Sequence, residues 1–310
     1  MLKTIVSIPD EYVIPINMNG LRGRMLKMPS KNKKKREMLL VYGHHTSLER
    51  MYGVAEVLNE FGSVTMPDLP GFGGMDSFYK IHEKPTLDAL ADYLASFIKL
   101  RYRNGRITVI GFSFGFLVVT RMLQRYPELE KRVDLAISLV GFSSKDDFTF
   151  SKTRFRLYLA GARFFSFGMT AVFFRNVFLN PAVLKRVYHR LHNAKEKFKD
   201  LDAERAALMT EFETYLWRAN DVRTHMLTTV EFFTVDNTLK KLAVPVCHVG
   251  VPEDKYFDRK IVEQHLRMIF DDLTVYKAKT TSHSPSIIGE KEFASVLFPT
   301  ALRRRLARKV

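Results

Sequence analysis

Cysteine is nearly absent: Cys247 stands alone among 310 residues. One thiol excludes an intramolecular disulfide and any multi-cysteine zinc site, so the chain is expected to work in a reducing compartment or to need no cross-links. Long apolar runs are missing as well. The most apolar segment, Phe164 to Phe174, is bracketed by Arg163 and Arg175 and falls far short of the about 20 residues that a bilayer span needs. The opening stretch carries Asp10, Glu11 and two prolines where a secretory signal keeps an unbroken apolar core, so no export signal is expected and the cytoplasm is the expected location. Repeats at solenoid periods are not evident. Acidic residues are in short supply: 33 Asp and Glu against 49 Lys and Arg leave a net charge of +16. That surplus predicts attraction to polyanions and carries no information about fold. The rest of the composition, 46% hydrophobic and 26% charged, is globular and excludes collagen-like or wholly disordered chains.

Short β-branched runs alternate with longer helical patterns through the first half, which is the pattern of crossover units on a mostly parallel sheet and places the chain in the α/β class. Residues 12–28 read as a hairpin with turns at Asn17, Asn19, Gly20 and Gly23, followed by a solvated loop from Lys31 to Arg36. The first buried strand is Met38 to Tyr42, and Ser47 fits the N-cap of a helix reaching about Glu60. Further strands are expected at Ser63 to Met66, Ile107 to Ile110 and Val133 to Val140, with helices at about Thr86 to Arg101 and Phe116 to Arg125. From Asp146 to Asn237 the strand signal disappears. It returns at Val244 to Gly250 and Leu273 to Tyr276, with a helix between them and a final helix from about Ser286. The chain therefore divides into a first core part (1–145), an inserted helical cap (146–237) and a second core part (238–310).

Gly111-Phe112-Ser113-Phe114-Gly115 has the form G-x-S-x-G, follows a short apolar strand and opens a helix. In that context the small residues permit a tight turn that exposes the serine hydroxyl, which makes Ser113 a candidate nucleophile. Serine needs a histidine base and a carboxylate to orient it. His283, in the polar turn Thr281-Ser282-His283-Ser284-Pro285-Ser286, is the one histidine of nine in the loop after the last strand. Asp254 follows the strand ending at Gly250 and is the preferred acid, since a carboxylate at the carboxyl end of a parallel strand points into the crevice where ligands bind. Asp258 is the alternative, although it also fits the N-cap of the next helix. The developing oxyanion needs two amides: Phe114, directly after the nucleophile, supplies one, and the backbone of His44 in the loop after the first buried strand is the candidate for the other. His44 and His45 are adjacent on a loop and lack a carboxylate at helical spacing, so no metal site and no cofactor are expected.

These residues resemble the α/β-hydrolase superfamily, in the chain order nucleophile, acid, histidine. Asp68-Leu69-Pro70-Gly71-Phe72-Gly73 is similar to the D-x-P-G-x-G turn after that family's fourth strand. His283 to Ile287 with Glu290 to Phe293 resembles its histidine loop and closing helix, and the helical insertion sits where the family places its lid. Tyr42-Gly43 stands where the family usually has His-Gly, Phe112 precedes the nucleophile, Ser282 replaces the usual glycine before the histidine, and the acid lies four residues past Gly250. A serine at the elbow sets the chain apart from the dehalogenase and epoxide-hydrolase branches, which use an aspartate. The resemblance implies a mostly parallel sheet flanked by helices and a serine hydrolase acting on a carboxylic ester or thioester with an apolar acyl group. Hydrolysis of a C–C bond by the same residues, and a non-catalytic lid-bearing scaffold that binds a lipid or a partner protein, stand as alternatives.

Substrate choice is expected to lie in the cap, rich in Phe155, Leu157, Tyr158, Phe164, Phe165, Phe167, Met169, Phe173, Phe174 and Phe178. Most of these are expected to pack cap helices together, the remainder lining an acyl-sized pocket above Ser113. From Lys152 to Lys199 eleven basic residues face Glu196 alone. Such a basic amphipathic cap suits peripheral contact with an anionic membrane, whereas no specific nucleic-acid partner is expected.

Overall fold

The structure, a computed structural model, describes residues 8–31, 36–103, 105–180, 183, 203–280, 282–283 and 290–308. The hairpin is formed by β1 (Val13–Met18) and β2 (Leu21–Met28). Its two turn residues, Asn19 and Gly20, hold φ of 50° and 81°, the positive angles that a two-residue hairpin turn demands. Asn17 and Gly23 are not turn residues: they sit in the ladder, opposite Arg22 and Ile16. Gly23 is required there because a Cβ would stand 2.5 Å from the Met75 side chain. Most of the Lys31 to Arg36 loop lies outside the described residues.

The sheet continues with β3 (Glu37–Val41), β4 (Ser63–Pro67), β5 (Ile107–Phe112), β6 (Val133–Leu139), β7 (Val246–Gly250) and β8 (Leu273–Lys277). Spatial order is β1-β2-β4-β3-β5-β6-β7-β8, antiparallel at the β1, β2 and β4 edge and parallel from β4 onward. Met38, Leu39, Leu40 and Val41 are all fully buried, as a continuous apolar run must be when helices cover both faces of a parallel sheet.

On the first half lie α1 (Leu48–Asn59), α2 (Leu87–Arg101), α3 (Phe114–Arg125) and the short α4 (Pro127–Glu130). Thr86 caps α2 by accepting from the Ala89 amide. Leu90, Leu94 and Ile98, at helical spacing, have no exposed surface, each burial contributing about 1.5–3 kcal/mol. Ser47 holds the N-cap position of α1 with extended backbone, but its hydroxyl accepts no amide and is buried without a hydrogen bond among the described residues. The capping bond expected from its residue type is therefore not made.

Between β6 and β7 the described residues form a short 3-10 turn (Lys145–Asp147) and the helices α5 (Lys152–Phe165), α6 (Gly168–Val177), α7 (Ala203–Ala219) and α8 (Val222–Phe232). Helices α5 and α6 pack on α8, which in turn contacts α2. The basic residues from Lys185 to Lys199 lie outside the described residues. After β7 come α9 (Arg259–Ile269), α10 (Lys291–Ser295) and α11 (Thr300–Ala307). The expected single closing helix is thus two, separated at Pro299, whose ring cannot donate the amide that a continuous helix needs.

Candidate active site

The site begins with a steric demand. Strand β5 ends at Phe112 and α3 starts at Phe114, leaving one residue, Ser113, to reverse the chain at φ 49°, ψ −118°. A non-glycine residue pays strain at positive φ, and the neighbouring packing has to impose it. A Cβ at Gly111 would meet the Phe116 backbone, and one at Gly115 would meet the Val41 carbonyl. The Ser113 amide donates to the Leu139 carbonyl at 2.8 Å, tying the turn to β6. Both glycines therefore serve the close approach of helix to strand, and the hydroxyl of Ser113 is presented at the carboxyl end of the sheet.

Two loops from the far half of the chain meet it there. His283, beyond β8, places Nε2 3.0 Å from the Ser113 Oγ and Nδ1 2.6 Å from Asp254 Oδ2. The His283 side chain is 12% exposed and that of Asp254 6%, so the relay is largely shielded from water. Asp254 uses its other oxygen, Oδ1, to accept the amides of Tyr256 (2.8 Å) and Phe257 (3.3 Å). One carboxylate thus shapes the loop after β7 and holds the imidazole. Asp258, the alternative acid, is not at His283: its Oδ1 accepts the Lys260 and Ile261 amides and caps α9. The turn residues 284–287 lie outside the described residues.

The loop after β3 lies against Ser113, since a Cβ at Gly43 would stand 3.4 Å from the Ser113 Cβ. His44 follows directly. Phe114 opens α3, where the first amides of a helix have no intrahelical partner and point outward. The His44 imidazole turns away into the cap: Nε2 donates to Thr228 Oγ1 (2.9 Å) and lies 3.2 Å from the His225 carbonyl. Phe72, Phe114 and Phe232 surround the ring edge-on. Burial pushes its pKa down to about 3, with the neighbouring His45 adding to the shift.

Sequence reasoning did not find this clasp, nor the aromatic rings around His283. Phe112, Tyr256 and Phe257 place their rings 6.2, 5.2 and 5.3 Å from that of His283. Phe257 stacks on Phe142 at 4.5 Å, and Phe142 meets Phe232 of α8. Tyr42, in the place of the family's histidine, donates to Asp68 Oδ1 (3.0 Å) and accepts the Leu69 amide (2.7 Å). Arg24 Nε reaches the second Asp68 oxygen at 3.2 Å. The turn that follows is held to the cap by the Gly73 amide on Asn220 Oδ1 and the Asp221 amide on the Gly71 carbonyl. The signal for these contacts was a motif without a partner: the sequence displays the Asp68 turn but not the α7–α8 junction that it grips.

Among the cap aromatics the expected packing holds for few. Phe165 and Phe174 pack with Ala171, Leu179, Val222 and Met226, and Phe155 meets Phe148 and Phe233. Leu157, Tyr158, Phe164, Phe167, Met169, Phe173 and Phe178 are exposed. On the inner face of α5 and α6 the fully buried positions are Ala162 and Ala171, with Phe155, Phe165 and Phe174 partly buried beside them.

Residues 38–220 match the family model described as the alpha/beta hydrolase fold. No curated protein matches the chain. Among solved structures, it is similar to an N-formylmaleamic acid deformylase from Pseudomonas putida S16, at 17% identity and a TM-score of 0.62 over 92% of this chain and 99% of that one. It is similar to a thermophilic esterase from Thermogutta terrifontis, at 16% identity and a TM-score of 0.62 over 96% and 99%. A bacterial membrane phospholipase A gives 16% identity and a TM-score of 0.67 over 95% and 86%. At these identities the likeness carries the fold alone.

Proposed function

The chain belongs to the alpha/beta hydrolase fold family, and from that premise we propose that it is a serine hydrolase cleaving a carboxylic ester or thioester of an apolar acyl group. The observation that carries the reading is the unbroken relay from Asp254 through His283 to the Ser113 Oγ, at 2.6 and 3.0 Å.

In the proposed reaction Ser113 Oγ attacks the carbonyl carbon as His283 Nε2 takes its proton. Asp254 keeps Nδ1 protonated and stabilises the imidazolium. The carbonyl oxygen becomes an oxyanion, received by the amides of Phe114 and His44, a contribution of about 3–4 kcal/mol per donor in comparable sites. Collapse breaks the bond to the leaving oxygen or sulfur, which departs with the proton from His283. The acyl group stays on Ser113. A water molecule then gives its proton to the same imidazole, attacks the acyl carbon and releases the acid, returning the proton to Ser113.

The apolar acyl group is argued from the packing around the proposed site: rings of Phe257, Phe142, Phe232 and Phe114 run from the imidazole to α8, and such apolar surroundings suit hydrocarbon better than polar groups. The test is hydrolysis of p-nitrophenyl esters of increasing acyl length. The reading expects turnover that rises beyond acetate and disappears in Ser113→Ala; turnover equal in wild type and Ser113→Ala refutes it.

A further inference from the structure

A surface helix usually turns its large apolar residues inward, whereas α5 and α6 carry them on the outer face as well, beyond the partly buried Phe155, Phe165 and Phe174. Their buried positions are the small Ala162 and Ala171. Outside stand Leu157, Phe164, Phe167, Met169, Val172 and Phe173, each at least 55% exposed and Met169 at 89%. Among the described residues, nine of the fourteen exposed large hydrophobic ones fall within 157–178, so the apolar surface concentrates on this segment. Patches of this kind mark sites of association.

Its charge selects the partner. Between Lys152 and Asn180 stand Lys152, Arg154, Arg156, Arg163 and Arg175, with no acidic residue. All five are exposed, and among the described residues none makes an ion pair. Pairing this face with a second copy would set five cations against five. The 14 and 10 residues of the two helices correspond to about 21 and 15 Å, shorter than the about 30 Å hydrocarbon core. They meet at a bend of 104°, and among the described residues no single helix is long and apolar enough to cross a membrane. Two short, bent, basic helices with exposed aromatics suit a position in the plane of a lipid surface, rings in the acyl boundary and cations at the headgroups.

We propose that α5 and α6 form a docking surface for an anionic lipid bilayer. Both helices pack on α8, and α8 carries Thr228, the partner of His44 beside the nucleophile. The surface therefore lies one helix away from the site. That this surface delivers a lipid-borne acyl substrate rests on the serine-hydrolase reading; the docking itself does not.

Co-sedimentation with phosphatidylcholine vesicles, with and without about one-third phosphatidylglycerol, tests it, using Ser113→Ala to keep the lipid intact. Binding is expected to need the anionic lipid and to weaken at least tenfold from about 50 mM to about 0.5 M salt, as screening shortens the reach of the headgroup charge. The double variant Arg163→Gln, Arg175→Gln is expected to bind about 25-fold more weakly, about fivefold per cation removed. Met169→Ser with Phe173→Ser is expected to weaken binding with the thermal unfolding midpoint unchanged. No sedimentation, equal binding to pure phosphatidylcholine, or a lipid-free dimer abolished by the Met169 and Phe173 changes would overturn the proposal. Ester hydrolysis by the wild type is scored separately: activity without vesicle binding removes the docking alone, and binding without activity removes the hydrolase reading alone.

Discussion

Three histidines are held neutral by the fold, and acid should unfold the protein through them. Burial drives His44 to a pKa of about 3 and His248 to about 4, and it pushes His225 well below the ordinary value. His44 and His225 face one another at 4.2 Å between ring centroids, with His45 beside them, and these neighbours lower both His44 and His225 further. His248 bonds Ser138 Oγ at 2.9 Å, and the nearby Arg259 lowers it further while Asp254 opposes. An unfolded chain binds protons at these groups near pH 6.5, and the folded chain does not. The folded values are depressed, so the stability from neutral imidazoles is complete above pH 6.5 and drains as pH falls towards 4. At pH 5, 1.5 units below the unfolded value, each group costs about 2 kcal/mol, and three cost about 6 kcal/mol. That equals much of the 5–15 kcal/mol stability of an ordinary domain. Carboxylates whose pKa the fold lowers, such as Asp76, Asp88 and Glu60, add their losses only below about pH 5. Asp68, which burial raises to about 8, binds a proton in the folded state over the same range and opposes the histidines by about one proton. In urea unfolding from pH 7.5 to 5 the expected slope is therefore about two protons, and His248→Asn should lower it by about one. Equal stability at pH 7 and pH 5, or an imidazole resonance of His44 titrating near 6.5, would refute the reasoning.

Other outcomes follow from single contacts. Asp254→Asn should lower kcat about 10⁴-fold with little change in KM, because the imidazole loses its tautomer, whereas Asp258→Ala should leave kcat near wild type and cost about 1 kcal/mol as a lost helix cap; equal kinetic damage from both would contradict the assignment. Gly115→Ala drives a Cβ into the Val41 carbonyl and should lower stability by about 2–3 kcal/mol in urea titration, so an unchanged midpoint would count against the elbow geometry.

Ser113 was legible in the sequence because its requirement is local: an apolar strand, two small residues and a helix start occur within ten positions. His283 and Asp254 were legible from their place after the last strands. That Asp254 also accepts two loop amides was not, since those bonds depend on the loop's path and not on residue type. Ser47 shows the converse: the residue type suits a cap, but the cap bond is not formed. His44 was read for its amide alone, because the clasp of its ring to Thr228 spans 184 positions and leaves no periodic trace. The cap aromatics were legible as apolar, but their direction was not. Facing inward or outward depends on which stripe meets α8, and Ala162 and Ala171 with Phe155, Phe165 and Phe174 take that place.

The central claim is that Ser113, activated by His283, forms a covalent bond with an acyl-like electrophile. Reaction with a fluorophosphonate, followed by intact-mass and peptide mass spectrometry, tests it most directly. The account predicts one adduct per chain, located on Ser113, lost in Ser113→Ala and slowed at least 10³-fold in His283→Ala. A folded wild-type protein that takes up no probe, or takes it up elsewhere, would contradict it.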